Sequence, residues 1–131
     1  YAQLEQSKSI QNKRQAIWKS YYRGLKYWCE LNGFLINKTP EHSDNNAHMF
    51  YIIVNSEEVR NKLLNYLKSN RVHATFHYQS LHRSEFMKNN LPEKLVNADM
   101  FSERLIRLPL YPDLSLDDVD YIIKTIIRFS I

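Results

Sequence analysis

AHMFYIIV, residues 47–54, is apolar at every alternate position on both faces. A strand with that pattern has no side to give to water, so it predicts the central strand of a sheet covered above and below. The polar stretch from Asn37 to Asn46, with Pro40 inside it, reads as a surface loop leading into this strand. Before the loop, residues from about Gln3 to Glu30 lack proline. Their apolar members Leu4, Ile10, Ile17, Tyr21, Leu25 and Trp28 recur mostly three, four or seven apart, as a long amphipathic helix requires, and Asn32 and Gly33 end it.

Working the other way, Ser56 stands where a helix cap belongs. Glu57, Glu58 and the stripe Val59, Leu63, Tyr66, Leu67 continue into a second helix reaching about Asn70. From Arg71 to Tyr78 the pattern alternates. Val72, Ala74, Phe76 and Tyr78 share one face and His73, Thr75 and His77 the other, which predicts a half-buried strand. An irregular region follows (Gln79 to Pro92), then a short helix over Asn97 to Leu105. RLPL (Arg107 to Leu110) reads as a brief edge strand because of its proline. Ser115 and Asp118 resemble a capping box, and Val119, Ile122, Ile123, Ile126 and Ile127 form the buried stripe of a last helix. The sum is an α+β fold, with about three strands packed on helices.

The chain has 131 residues, 44% of them hydrophobic, which fits one compact core. Nothing approaches the roughly 20 consecutive apolar residues of a membrane helix, and YAQLEQSKSI has neither the basic start nor the apolar run of a signal peptide. The expectation is a soluble, cytoplasmic protein. Cys29 is the only cysteine, so no internal disulfide forms, and it reads as a helix-packing thiol. The net charge of +4 is spread along the chain, which fits solvated helix faces better than a nucleic-acid patch. With two glycines the chain has no phosphate-cradling loop of the dinucleotide type. It opens at a tyrosine within the first helix, as a piece of something longer would.

Chemistry-bearing residues gather around the third strand. His73 and His77 share a face but stand about 13 Å apart at strand spacing, too far for one ion, and no HExxH or cysteine pair supports a metal. His77 and His82 bracket HYQSLH, where the strand leaves the sheet and side chains reach a ligand beyond its edge. Histidine there donates to a sugar hydroxyl or a phosphate, or moves a proton near neutral pH. No serine sits in a GxSxG turn, and Asp117, Asp118 and Asp120 belong to a helix first turn where the dipole stabilises them.

Three segments in order, NAHMFYIIV (residues 46–54), VHATFHYQSLH (72–82) and SERLIRLPLYPDLSLDDVDYII (102–123), resemble the carboxy-terminal third of the DegT/DnrJ/StrS sugar aminotransferases. Ser80 departs from the pattern, in which a proline stiffens the loop. The resemblance implies the small carboxy-terminal domain of a fold type I (aspartate-aminotransferase-like) enzyme, with residues 1–31 as the linking helix and 46–131 as the α+β core. It implies pyridoxal 5′-phosphate as cofactor, held mainly by a large domain that also carries the cofactor lysine, so the piece alone should be inactive. It implies glutamate and a nucleotide-linked keto-sugar as substrates, and a homodimer. By the same resemblance His77, Tyr78 and His82 contact substrate, and Asn46 is a further candidate. The alternative is a freestanding α+β module binding RNA or another anionic partner; the resemblance implies neither nucleic acid nor membrane as a partner.

Overall fold

The computed structural model describes residues 2–87, 89 and 94–130. A single turn, α1 (Ala2–Glu5), leads into α2 (Ser7–Leu31), followed by β1 (Leu35–Ile36), β2 (Phe50–Ile53), α3 (Glu57–Ser69) and β3 (Thr75–Phe76). A 3₁₀ turn at Leu81–Arg83, α4 (Val96–Arg104), β4 (Leu105–Leu108) and α5 (Leu116–Ile127) complete the chain. Part of the irregular region expected over 79–92 lies outside the described residues.

The strands form one antiparallel sheet in the order β1-β2-β4-β3. Phe50, Ile52, Ile106 and Leu108 alternate on one face and are buried, and α2, α3 and α5 supply the side chains that cover them. The α2 contact is aromatic: Phe50 meets Tyr21 at 5.1 Å and Trp18 at 5.5 Å between ring centroids. Tyr21, fully buried, donates its hydroxyl to the Pro109 carbonyl at 2.9 Å, so the helix is tied to the end of β4 by a satisfied polar group.

The capping residues behave as their chemistry dictates. The Ser56 hydroxyl accepts from Val59 N at 3.2 Å, and Ser115 accepts from Asp118 N at 3.0 Å while donating to Asp118 Oδ2 at 2.6 Å. Gly33, at φ +67°, turns the chain out of α2 in the left-handed region that glycine tolerates.

Four expectations need correction. The sheet has four strands: β1, two residues long just past the helix terminator, carries too little alternation to be seen. β4 is an inner strand, since Pro109 lies just beyond its last residue and removes no ladder hydrogen bond. β3 is the edge, and only Val72 and Ala74 of its supposed inner face pack on the core. Phe76, 51% exposed, lies under the Arg60 guanidinium at 5.9 Å, and Tyr78 is 75% exposed. Ile127 also leaves its stripe for the surface. No helix among the described residues is long and apolar enough to cross a membrane.

Candidate functional site

Register places the polar residues together. Tyr51 pairs with Arg107 and Arg107 with Thr75, so these three side chains stand on the face opposite Ile52 and Ile106, away from the core helices. His73 and His77 flank Thr75 at the same-face spacing of two. A depression of about 140 Å³ lies here, lined by His48, Met49, His73, Thr75 and Arg107 with the strand end at residues 108–110. A larger groove of about 370 Å³, between the loop at 37–46 and Tyr51, shares His48 and Met49 with it.

His48 is held by its own turn. Ala47 sits at φ 50°, a conformation that costs a residue with a Cβ on the order of 1 kcal/mol or more, and its N–H donates to Asn45 Oδ1 at 2.8 Å. Asn46 Oδ1 accepts from both the backbone N–H and Nδ1 of His48, at 3.3 and 2.8 Å. An amide oxygen only accepts, so Nδ1 of His48 carries a proton. From α2, Gln11 donates to the Asn46 carbonyl at 2.6 Å and Gln15 to that of Asn45 at 3.4 Å. In this structure Asn46 therefore orients a histidine.

His77 is half-buried, 4.4 Å from the Tyr78 ring, and its Nδ1 lies 3.4 Å from Arg107 Nη1. A guanidinium only donates, so Nδ1 accepts and the ring proton sits on Nε2. Burial, then the charge of Arg107 and then that of His48, hold the His77 pKa below the usual imidazole value.

His82 takes a different place from the one expected. It is 3% exposed, with Nε2 at 3.1 Å from Oδ1 of the buried Asp99, a close contact that makes no hydrogen bond. Asp99 Oδ1 also lies 2.7 Å from Arg83 Nε, and Asp99 Oδ2 accepts from Leu95 N at 3.1 Å. Ser80 donates its hydroxyl to the Ala98 carbonyl at 2.9 Å and its backbone N–H to Ser102 Oγ at 3.2 Å, both on α4. Burial closes His82 to an external ligand. Its side chain pins the loop after Tyr78 to α4, and Ser80, standing where the sequence pattern has proline, supplies hydrogen bonds in place of ring stiffness.

Three contributors escaped the sequence reading. Arg107 signals itself only as the one charged residue between Ile106 and Leu108; His48 needed the Asn46 turn to aim it; Asp99 lies 17 positions from His82 with no periodicity joining them. Among the described residues no group of three His, Cys, Asp or Glu is placed to hold a metal ion.

Over 130 residues the chain is 25% identical to an uncharacterised protein of Methanocaldococcus jannaschii, MJ1066, covering 95% of this chain and 33% of that one. It superposes on DesV of S. venezuelae with a TM-score of 0.86 at 23% identity, covering 97% of this chain and 33% of the other. Spr1654 of Streptococcus pneumoniae, assigned as a sugar aminotransferase and solved in its PLP form, gives 0.82 at 27% identity, with 95% and 32% covered. The chain thus spans about a third of the length of the relatives it matches. The model of the DegT/DnrJ/EryC1/StrS aminotransferase family matches residues 1–127, nearly the whole chain, and the protein belongs to that family.

Proposed function

We propose that this chain is the carboxy-terminal small domain of a longer pyridoxal-phosphate-dependent enzyme that moves an amino group from glutamate to a nucleotide-linked 4-keto-6-deoxy-hexose. The observation that carries the reading is the family match over residues 1–127 in a chain only a third as long as its relatives, with a polar face left free of core helices. The likeness of NAHMFYI and FHY to enzymes making dTDP-4-amino-4,6-dideoxygalactose favours a dTDP-linked sugar, surface-polysaccharide synthesis and a cytoplasmic homodimer.

The residues present fit a place beside the cofactor rather than its covalent attachment. A lysine that bonds a cofactor carbonyl is activated by desolvation or neighbouring cations, whereas all nine lysines among the described residues are exposed. The cofactor, when bound, acts as the electron sink for amino transfer. This chain's part is to bind and orient: His77 presents a neutral imidazole with Nε2–H as donor, Tyr78 an exposed phenol beside it, and Asn46 a fixed His48. His82 keeps the loop in place from beneath.

In the complete enzyme, His77→Ala is expected to slow sugar turnover at least tenfold while the glutamate half-reaction, followed by cofactor absorbance, changes less than threefold. Equal loss in both halves would remove His77 from the sugar. The 131-residue chain alone, treated with pyridoxal phosphate and borohydride, is expected to show no single stoichiometrically modified lysine by mass spectrometry. One such lysine would overturn the small-domain reading.

A further inference from the structure

Arg107 is a half-buried guanidinium on the open sheet face, and among the described residues its side chain has one hydrogen-bonding contact, the neutral Nδ1 of His77 at 3.4 Å. No carboxylate among the described residues lies within 4 Å of it. Several other cations have such partners, Arg60 with Glu57, Arg83 with Asp99 and Glu103, Lys13 with Asp113 and Lys124 with Asp120. A guanidinium partly withdrawn from water and left without an anion is destabilised unless something supplies one. The Thr75 hydroxyl, a donor, and the His48 and His73 rings line the same depression, and the His77 ring holds Arg107 from beside it. A planar guanidinium fork beside a hydroxyl is the chemistry that holds a tetrahedral oxyanion.

We infer that this depression is an oxyanion site in which Arg107 binds a phosphate ester or diphosphate, with the Thr75 hydroxyl as a flanking donor and the His48 and His77 rings beside it. At about 140 Å³ it takes the anion alone. The groove of about 370 Å³ that shares His48 and Met49 with it, lined by Asn37, Lys38, Asn46 and Tyr51, takes the uncharged remainder. The anion comes from one of two molecules, the diphosphate of a nucleotide-linked sugar or the phosphate of the cofactor. Only this choice of ligand rests on the proposed function; the binding belongs to this chain.

The test is a titration of the ¹⁵N-labelled 131-residue chain with pyrophosphate at constant ionic strength, read by amide and imidazole shifts. Saturable shifts at His48, Thr75, His77 and Arg107 are expected. Arg107→Gln weakens the apparent affinity tenfold or more, Arg107→Lys weakens it less, and Arg71→Gln, at an exposed arginine that does not line the depression, stays within twofold. Unchanged affinity in a folded Arg107→Gln, or unsaturable shifts spread over the lysines of α2, overturns the site. Thymidine diphosphate and pyridoxal phosphate are then compared. Whichever also shifts Asn37 and Asn46 supplies the anion, and neither perturbing the site refutes it. Anion binding without sugar turnover in the complete enzyme leaves this site standing and removes the proposed substrate; turnover without anion binding does the reverse.

Discussion

At His77, burial and two neighbouring cationic groups act in the same direction, each disfavouring the imidazolium. Since its pKa is depressed in the folded chain, the unfolded chain binds the proton more readily. The stabilisation is therefore complete above the unfolded value of about 6.5 and is lost as pH falls from there through the folded value. A ¹H–¹³C titration of the His77 Cε1–H is expected to show a midpoint below that of free histidine, and Arg107→Gln to raise it part of the way back. A midpoint at or above 6.5 in the unsubstituted chain would mean that Arg107 does not face the ring. The sequence reading singled out His77 and Tyr78 because a polar strand end opening into a loop is a local pattern, and the structure leaves one half-buried and the other exposed at that strand end. His82 shares that pattern but turns inward, since its partner Asp99 is brought near only by the folding of α4. Cys29 was legible from its place among helix-packing residues: it is fully buried, and burial pushes the thiol pKa up to about 12.

Among the elements, α2 and α5 pack where Gly24 lets them approach. A Cβ at position 24 would lie 2.8 Å from Cδ1 and 2.9 Å from Cγ2 of Ile123, and Cγ2 sits on a β-branched carbon that cannot swing aside. Alanine gains about 1 kcal/mol over glycine in a helix interior, while overpacking costs about 1–3 kcal/mol. The clash should win. Gly24→Ala is expected to lower the urea midpoint by the equivalent of about 1 kcal/mol, and Ile123→Ala in the same chain to recover part of that loss. A raised midpoint would show that the helices separate at little cost. Helices were the legible part of this fold because the apolar stripes of α2, α3 and α5 lie inside their own spans, and α3 and α5 are also announced by the serine caps Ser56 and Ser115. The sheet was less so. A two-residue β1 and a two-residue β3 exist because β2 and β4 supply their partners, and strand order depends on pairings tens of residues apart.

The whole molecule shows more surface than its size calls for. A compact monomer of 15.7 kDa exposes roughly 7,300 Å², and this chain exposes 9247 Å². Part of the difference is apolar and contiguous: Tyr27 at 73% and Leu31 at 71% exposed join Gly24, Trp28, Ile127 and Phe129 along a groove of about 440 Å³ between the end of α2 and the end of α5. In the isolated chain this groove meets water, so Leu31→Lys should change stability by no more than about 0.5 kcal/mol; a cation in the last turn also suits the helix dipole. In a longer protein that covers the groove, the same substitution buries a charge against Tyr27 and Ile127, and desolvation makes it costly. The expected result is an unchanged thermal midpoint for the 131-residue chain and a clearly lowered one for the complete enzyme, measured by calorimetry on both. Equal midpoint shifts in the two would mean that the groove stays open in the complete enzyme, and that its apolar side chains owe their exposure to something other than an absent covering surface.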